Sequence, residues 1–263
     1  MIKIDASKCN RDDLCSLECS YGFMFNKDDD GYPVIDKDLY EKYCIGCQHC
    51  IAVCPTGAIS DAGYSQEDLE RVDRKQAVPA TVAAHHLKTR RSIRTFKDKP
   101  VPEEAIREFM EITRWSPTAS NSQQLKWLVV KEKENISQLA ALVIDWIKGM
   151  KAYPEIIEQW DAGNDIILRR APHLAIVTAP KEYFWGYVDA ATAISHLELF
   201  APTVGLGTCW AGYFTRCASQ FKPLTDSLEL GPEQIVTGAL MFGYPSHRFK
   251  AIPARNEVKL KFI

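Results

Sequence analysis

The sequence predicts a two-part chain of mixed helical and strand structure, a small cysteine-rich head followed by a larger body. Three observations carry this. The chain has 263 residues, a length that suits one to two domains. Of its nine cysteines, seven fall between Cys9 and Cys54. Residues 1–60 hold more acids than bases, although the whole chain carries 32 basic and 34 acidic side chains and a net charge of −2. Beyond the head, helical periodicity over 102–114, 135–150 and 187–203 is interleaved with strand patterns over 126–131, 173–179, 208–213 and 235–242.

Composition removes several classes. Near-neutral charge argues against a nucleic-acid binder or a polybasic membrane binder. A content of 46% hydrophobic and 25% charged residues fits a globular chain. No apolar run approaches the ~18 residues that a membrane helix needs, and Met1 to Asp5 lacks the apolar core of a signal peptide. A cytoplasmic location is therefore expected. An odd cysteine total in such a chain argues against a disulfide framework and for metal.

In the head, Cys44, Cys47, Cys50 and Cys54 followed by Pro55 spell C-x2-C-x2-C-x3-C-P. This is the bacterial ferredoxin run, whose fourth cysteine ligates the other cluster of a pair. Three thiolates at three-residue intervals wrap one face of a cubane, with Gly46 easing the turn. C-x2-C pairs also suit zinc, but four cysteines in one compact run closed by Cys-Pro favour iron–sulfur. A partner half must lie upstream, and Cys9, Asp12, Cys15 and Cys19 match it position by position, with Asp12 in a cysteine register and Ser20 in place of the proline. Cluster I is expected on Cys9, Asp12, Cys15 and Cys54, and cluster II on Cys44, Cys47, Cys50 and Cys19.

Asp12 is the informative departure, because a carboxylate suits iron less well than a thiolate does. Either Asp12 holds the fourth iron weakly, or a 3Fe-4S cluster remains in place of 4Fe-4S. The alternative is a solvated Asp12, with Asp13 as ligand or bystander. Asp28-Asp29-Asp30-Gly31 reads as a hairpin turn with a solvated acidic tip. A head of residues 1–62 buries little core, so its clusters also staple it. Residues 63–80 read as a linker, partly helical over 66–74, and 81–263 as the second domain. A helix begins beside Pro79, and His85 and His86 are ordinary residues of it.

That helix ends in Arg90-Arg91-Ser92-Ile93-Arg94-Thr95-Phe96. Guanidinium forks and a hydroxyl make an anion site. A cationic helix C-terminus balancing its dipole is the plainer explanation, but it does not account for Val101-Pro102-Glu103-Glu104, which opens a new helix. R-R-S-x-R-x-F followed by V-P resembles the opening of the nitroreductase family of FMN-dependent flavoproteins. Ser116-Pro117-Thr118-Ala119-Ser120-Asn121-Ser122-Gln123 resembles its S-P-[ST]-x-x-N-x-Q signature. Gly205-Leu206-Gly207-Thr208-Cys209 resembles its G-L-G-[ST]-C strand entry, and Gly243-Tyr244-Pro245 with Arg255 its closing segment. Gln124-Leu125 departs from the proline and aromatic of many members, which bears on the pocket's shape. Gly205-x-Gly207 is no dinucleotide fingerprint, since it follows a helix and the third glycine is misplaced.

The resemblance implies an α+β fold, in which a ferredoxin-like iron–sulfur domain precedes an FMN domain with a central, mostly antiparallel sheet flanked by helices. It also implies a homodimer with FMN at the interface. Arg90, Arg91, Ser92 and Arg94 would then bind the ribityl phosphate and the flavin's pyrimidine edge, with Arg255 completing the phosphate clamp. Pro117, Thr118, Ala119, Asn121 and Gln123 would approach the ring from the partner subunit, and Trp210, Ala211 and Gly212 would give backbone contact near N5. Trp146 to Arg170 resembles the family's variable insertion over the flavin; it and Tyr183-Phe184-Trp185 would form a substrate lid or else pack a dimer. Cys209 and Cys217 read as buried, inert thiols.

No G-x-S-x-G or H-E-x-x-H motif supplies a catalytic side chain, so the cofactors would carry the chemistry. The expected function is an FMN-dependent oxidoreductase whose clusters relay electrons to or from the flavin. Its donor would be a ferredoxin-type protein or NAD(P)H, and its small-molecule substrate an electron-poor organic compound such as a nitro compound. The alternative is an electron-transfer protein that exchanges electrons only with protein partners.

Overall fold

The computed structural model describes every residue except Ala62, the residue on which the expected head boundary falls. The chain forms two units, Met1–Ala77 with Ser120–Ser122, and Val78–Ala119 with Gln123–Ile263. Among the described residues no helix is long and apolar enough to cross a membrane.

In the first unit, β1 (Lys3–Ile4) is followed by α1 (Leu14–Leu17), by β2 (Phe25–Lys27) and β3 (Pro33–Ile35), and by α2 (Lys37–Tyr43), α3 (His49–Val53) and β4 (Ile59–Ser60). β1 pairs antiparallel with β4, and β2 with β3. The Asp28–Gly31 turn closes the second pair as its sequence predicts. Gly31 takes the left-handed φ of 80°, and the Asp28 carboxylate accepts from the Asp30 and Tyr32 N–H groups at 3.1 and 2.8 Å. Asp36 caps α2 by accepting from Leu39 N at 3.0 Å, satisfying one of the helix's orphan donors. The core consists of Ile2, Cys15, Cys50, Ile51, Cys54, Ala58 and Ile59. Three of these are cysteines, so this small core is organised around thiol positions. In the stretch expected as a partly helical linker there are two 3-10 turns, Gln66–Asp68 and Arg74–Gln76.

The second unit runs through α4 (Ala80–Thr89), α5 (Glu103–Glu111), β5 (Lys126–Val130), α6 (Lys133–Met150), α7 (Pro154–Asp161) and β6 (His173–Pro180). It continues with α8 (Gly186–Phe200), β7 (Gly207–Trp210), α9 (Gly212–Ala218), α10 (Lys222–Ser227) and β8 (Gln234–Gly243). The sheet has the order β5-β6-β8-β7 and is antiparallel throughout. Its two central strands are buried on both faces, which is why they read as continuous apolar runs rather than as alternation. Leu174, Ile176, Ala239 and Met241 face the core built by α6, α7 and α9. Ala175, Val177, Leu240 and Phe242 face the core built by α5 and α8.

Two expectations need correction. The strand foreseen over 208–213 stops at Trp210, because Ala211 already turns. Its N–H donates to Ala239 O at 2.9 Å, while its carbonyl accepts from Thr215 N, the first turn of α9. The stretch from Trp146 to Arg170 is not a separate insertion at its start: Trp146 is buried in the core on α6. Pro154 then opens α7 after Tyr153, which adopts a left-handed φ of 57°.

Candidate functional site

The head contains the same backbone device twice. Two residues after the leading cysteine stand Arg11 and Gly46, with φ of 61° and 63°. Four residues after it stand Asp13 and Gln48, with φ of 59° and 62°. A short helix then starts on the next residue in each half, at Leu14 and at His49. Asp12 and Cys47 therefore each stand between two left-handed residues. Left-handed backbone is costly for a side chain such as that of Arg11. Here Arg11 is secured by its guanidinium, which donates to Asp30 O at 2.9 Å and lies 5.0 Å from the Tyr32 ring centroid.

The thiols gather in two groups. Burial pushes Cys15 up to about 11, and the neighbouring charges of Cys9 and Cys54 act in the same direction. Burial likewise pushes Cys50 up to about 12, with Cys19, Cys47 and Cys44 adding to it. Cys19, Cys44, Cys47 and Cys50 line one pocket. Backbone N–H groups point at sulfur: Arg11 N at Cys9 (3.4 Å), Tyr21 N at Cys19 (3.4 Å) and Ala58 N at Cys54 (3.3 Å). Such donors favour charged sulfur. At Cys54 burial pushes the thiol up, but the Thr56 hydroxyl and the N–H groups of Ala58, Thr56 and Gly57 outweigh it, leaving the thiol below its ordinary value. Cysteine thiols grouped under N–H donors are the kind of donor set that iron–sulfur clusters take. Asp12 is exposed, and its carboxylate accepts from Leu14 N at 3.2 Å. Asp13 is held by Lys27 at 2.6 Å.

In the body, the arginine run leaves α4 and joins the sheet. Ser92 bridges Thr208 in parallel, and Ile93 N donates to Thr208 O at 2.8 Å. Gly207 is needed here, because a Cβ would stand 2.5 Å from the Ile93 side chain. The run and the β7 end thus form one surface. The arginines have different surroundings. Arg90 donates to Glu198 Oε1 at 3.0 Å. Arg91 turns back onto the Lys88 and Thr89 carbonyls at the end of α4, the helix-terminal role considered from the sequence. Arg94 is exposed. Burial pushes the Cys209 thiol up, against the pull of Arg94, Arg169 and the Ser92 hydroxyl beside it.

Trp210 is half-exposed, and its indole donates to Glu198 Oε2 at 3.1 Å. Ala211 is buried, and Gly212 begins α9 with open space where a Cβ would lie. In the Pro117–Gln123 loop, Ala119 N donates to Asp189 Oδ1 at 3.1 Å, and Gln123 N to Thr118 Oγ1 at 3.1 Å. Ser120, Asn121 and Gln123 all have left-handed φ, 49–52°, strain of the kind found at functional sites. Asn121 belongs to the first unit, where its side-chain amide donates to Ile45 O at 3.1 Å. Arg255 is exposed after β8, and no described contact joins it to the arginine run. Of the aromatic triplet, Tyr183 reaches Asp189, while Phe184 and Trp185 are exposed.

Sequence reasoning missed Asp189 and Glu198, at 3% and 8% exposure the buried carboxylates among the described residues. Their only signal was acid within the apolar run of α8.

The model of the nitroreductase family matches residues 87–244, and that of the 4Fe-4S dicluster domain matches residues 7–59. An FMN reductase [NAD(P)H] of Bacillus subtilis is 26% identical over 62% of this chain and 65% of its own length. A nitroreductase with bound FMN from Desulfitobacterium hafniense is 20% identical, has a TM-score of 0.59, and aligns over 68% of this chain and 97% of its own. The corresponding structure from Bacteroides fragilis, also with bound FMN, is 20% identical with a TM-score of 0.57, over 68% of this chain and 96% of its own. The fold, the two-part organisation and these matches define the class: the chain belongs to the nitroreductase family and carries a 4Fe-4S dicluster domain at its head. It is an oxidoreductase.

Proposed function

We propose that the chain is an FMN-dependent reductase in which two clusters relay single electrons to the flavin, for transfer to an electron-poor organic substrate such as a nitro compound. The observation that carries it is one chain holding both two gathered sets of thiols and an arginine run stitched to β7. The clusters exchange electrons singly, and the flavin converts between single electrons and pairs. Cys9, Cys15, Cys54 and Asp12 hold cluster I, and Cys19, Cys44, Cys47 and Cys50 hold cluster II. With a carboxylate in a cysteine position, cluster I is the one that loses iron to become 3Fe-4S.

In the body, Ser92 and Arg94 bind the flavin phosphate, with Arg90 and Arg91 at its flanks and Arg255 closing the clamp. Pro117, Thr118 and Ala119 with Asn121 and Gln123 border the ring, and Trp210, Ala211 and Gly212 approach N5. This reading includes a homodimer with FMN at its interface. Tyr187, Val188, Ala191, Thr192 and Ser195 form an open face on α8. Val258, Leu260 and Phe262 alternate with lysines in an exposed tail, a strand pattern that pairs with no strand among the described residues.

The test is anaerobic turnover of nitroarenes and quinones, with NADH, NADPH or reduced ferredoxin as donor. Ferredoxin-driven reduction is expected. A protein that exchanges electrons with ferredoxins but turns over no small molecule would be the carrier instead.

A further inference from the structure

Glu198 lies at the meeting point of two flavin-site segments. It comes from α8, and its side chain is 10% exposed. Each oxygen has its own donor: Arg90 Nη1 on Oε1 at 3.0 Å, and Trp210 Nε1 on Oε2 at 3.1 Å. Burying a carboxylate is costly unless it is paired and hydrogen-bonded. Even a well-paired one is often no better for stability than an apolar residue of similar volume. Fold stability alone is therefore a weak reason for a glutamate here. What the carboxylate does supply is geometry. It takes one donor of the Arg90 guanidinium and the N–H of the Trp210 indole, so both side chains are tied to the same carboxylate. The far edge of the ring lies over Gly238, where a Cβ would come within 3.5 Å of Trp210 Cζ3.

A second buried carboxylate of the same helix works in parallel. Asp189 receives Ala119 N and the Tyr183 hydroxyl, and so holds the Pro117–Ala119 loop. The two acids are nine residues apart, which at about 100° per residue sets them on opposite sides of α8. One helix thereby ties down three separate segments.

We propose that Glu198 is a positioning residue of the flavin site, holding Arg90 and Trp210 in one arrangement and adding a negative charge that tunes the flavin. The proposal rests on the FMN reading above. It is tested on the full chain, with clusters in place, by titrating flavin-stripped protein with FMN and by measuring the flavin midpoint potential. Glu198→Gln should raise the FMN dissociation constant about tenfold, equivalent to about 1.4 kcal/mol. It should also move the midpoint to a more positive value, because a carboxylate no longer opposes the charge gained on reduction. A role in folding alone would not produce that directed shift. Arg90→Gln combined with Glu198→Gln should bind FMN no more weakly than Arg90→Gln alone.

Trp210→Phe leaves the ion pair whole. It should raise the dissociation constant about threefold with the midpoint unchanged, and it carries the test should Glu198→Gln fail to fold. Wild-type protein that takes up no stoichiometric FMN overturns the flavin reading, and this proposal with it, before any variant is compared. Wild-type protein that binds FMN beside a folded Glu198→Gln of unchanged affinity and potential overturns the Glu198 proposal alone. In the fallback case, unchanged affinity of Trp210→Phe does the same.

Discussion

Two arginines four residues apart should fail in different ways when replaced. Arg94 is exposed, so Arg94→Ala should alter the stability of flavin-free protein by no more than about 0.5 kcal/mol. Arg90 is 28% exposed and its partner Glu198 10%. Breaking a fully buried pair costs about 3–5 kcal/mol, and partial solvent access at Arg90 reduces this to about 2 kcal/mol. In a unit of this size, about 2 kcal/mol is worth roughly 4–8 °C in Tm. For FMN, each charge-assisted contact is worth about 1.5–3 kcal/mol, or roughly ten- to a hundredfold in affinity. Arg94→Ala should thus lose flavin on dilution while melting like wild type, and Arg90→Ala should lose flavin and also melt early. Thermal unfolding of flavin-stripped protein, followed by FMN titration monitored through flavin fluorescence, separates the two effects. Equal Tm values for the variants would refute the burial argument, and undiminished FMN binding by Arg94→Ala would refute the anion site.

Anaerobically purified protein should hold about seven to eight irons per chain, and Asp12→Cys should resist oxidative loss of the labile iron. Zinc in place of iron, or a four-iron total insensitive to anaerobic handling, would sink the two-cluster assignment. Removing residues 1–77 should leave a body that retains FMN and its reaction with any hydride donor but accepts electrons from a reduced ferredoxin far more slowly; an unchanged rate would make the head structural only. Burial lowers His173 to about 4, with Lys131 its main neighbour. Its folded pKa lies below the unfolded value near 6.5, so the unfolded chain binds the proton first and stability falls as pH drops from about 6.5 towards 4. Between pH 7.5 and 5 this amounts to about 2 kcal/mol. Denaturant unfolding of His173→Gln should show a loss smaller by that amount, and an identical pH dependence would contradict the assignment.

What the sequence made legible depended on whether the causes were local. The cysteine register could be read because ligand spacing is written along the chain, and it extends to paired left-handed positions. That Arg11 would share the backbone of Gly46 was not legible, since arginine has no preference for that conformation and is held by Asp30 and Tyr32 from another segment. β6 and β8 were visible as apolar runs because both faces are covered. The end of β7 was overrun because Ala211-Gly212-Tyr213-Phe214 is apolar in either periodicity, and the bond from Thr215 N to Ala211 O, which opens α9, decides where the strand stops. α7 was hidden by Pro154, which reads as a break and acts as a helix start. Glu198 and Asp189 were illegible for a stronger reason: their partners Arg90 and Ala119 lie 108 and 70 residues away.

That distance matters for the electrostatics of the site. Counted along the chain, Arg90-Arg91-Ser92-Ile93-Arg94 offers three positive charges to a phosphate. In the fold, Arg90 is offset by Glu198, and Arg91 faces the carbonyl end of α4, where a cation is stabilised by the helix dipole. Arg94 is left as the arginine of the motif whose charge is not already directed elsewhere, with Arg169 contributing beside Cys209. On the proposed flavin reading, the motif names the residues that meet the flavin, while α8, which contributes nothing to the motif, decides how much charge they bring. Substitutions on that helix should consequently alter the flavin's affinity and potential while leaving every motif residue in place.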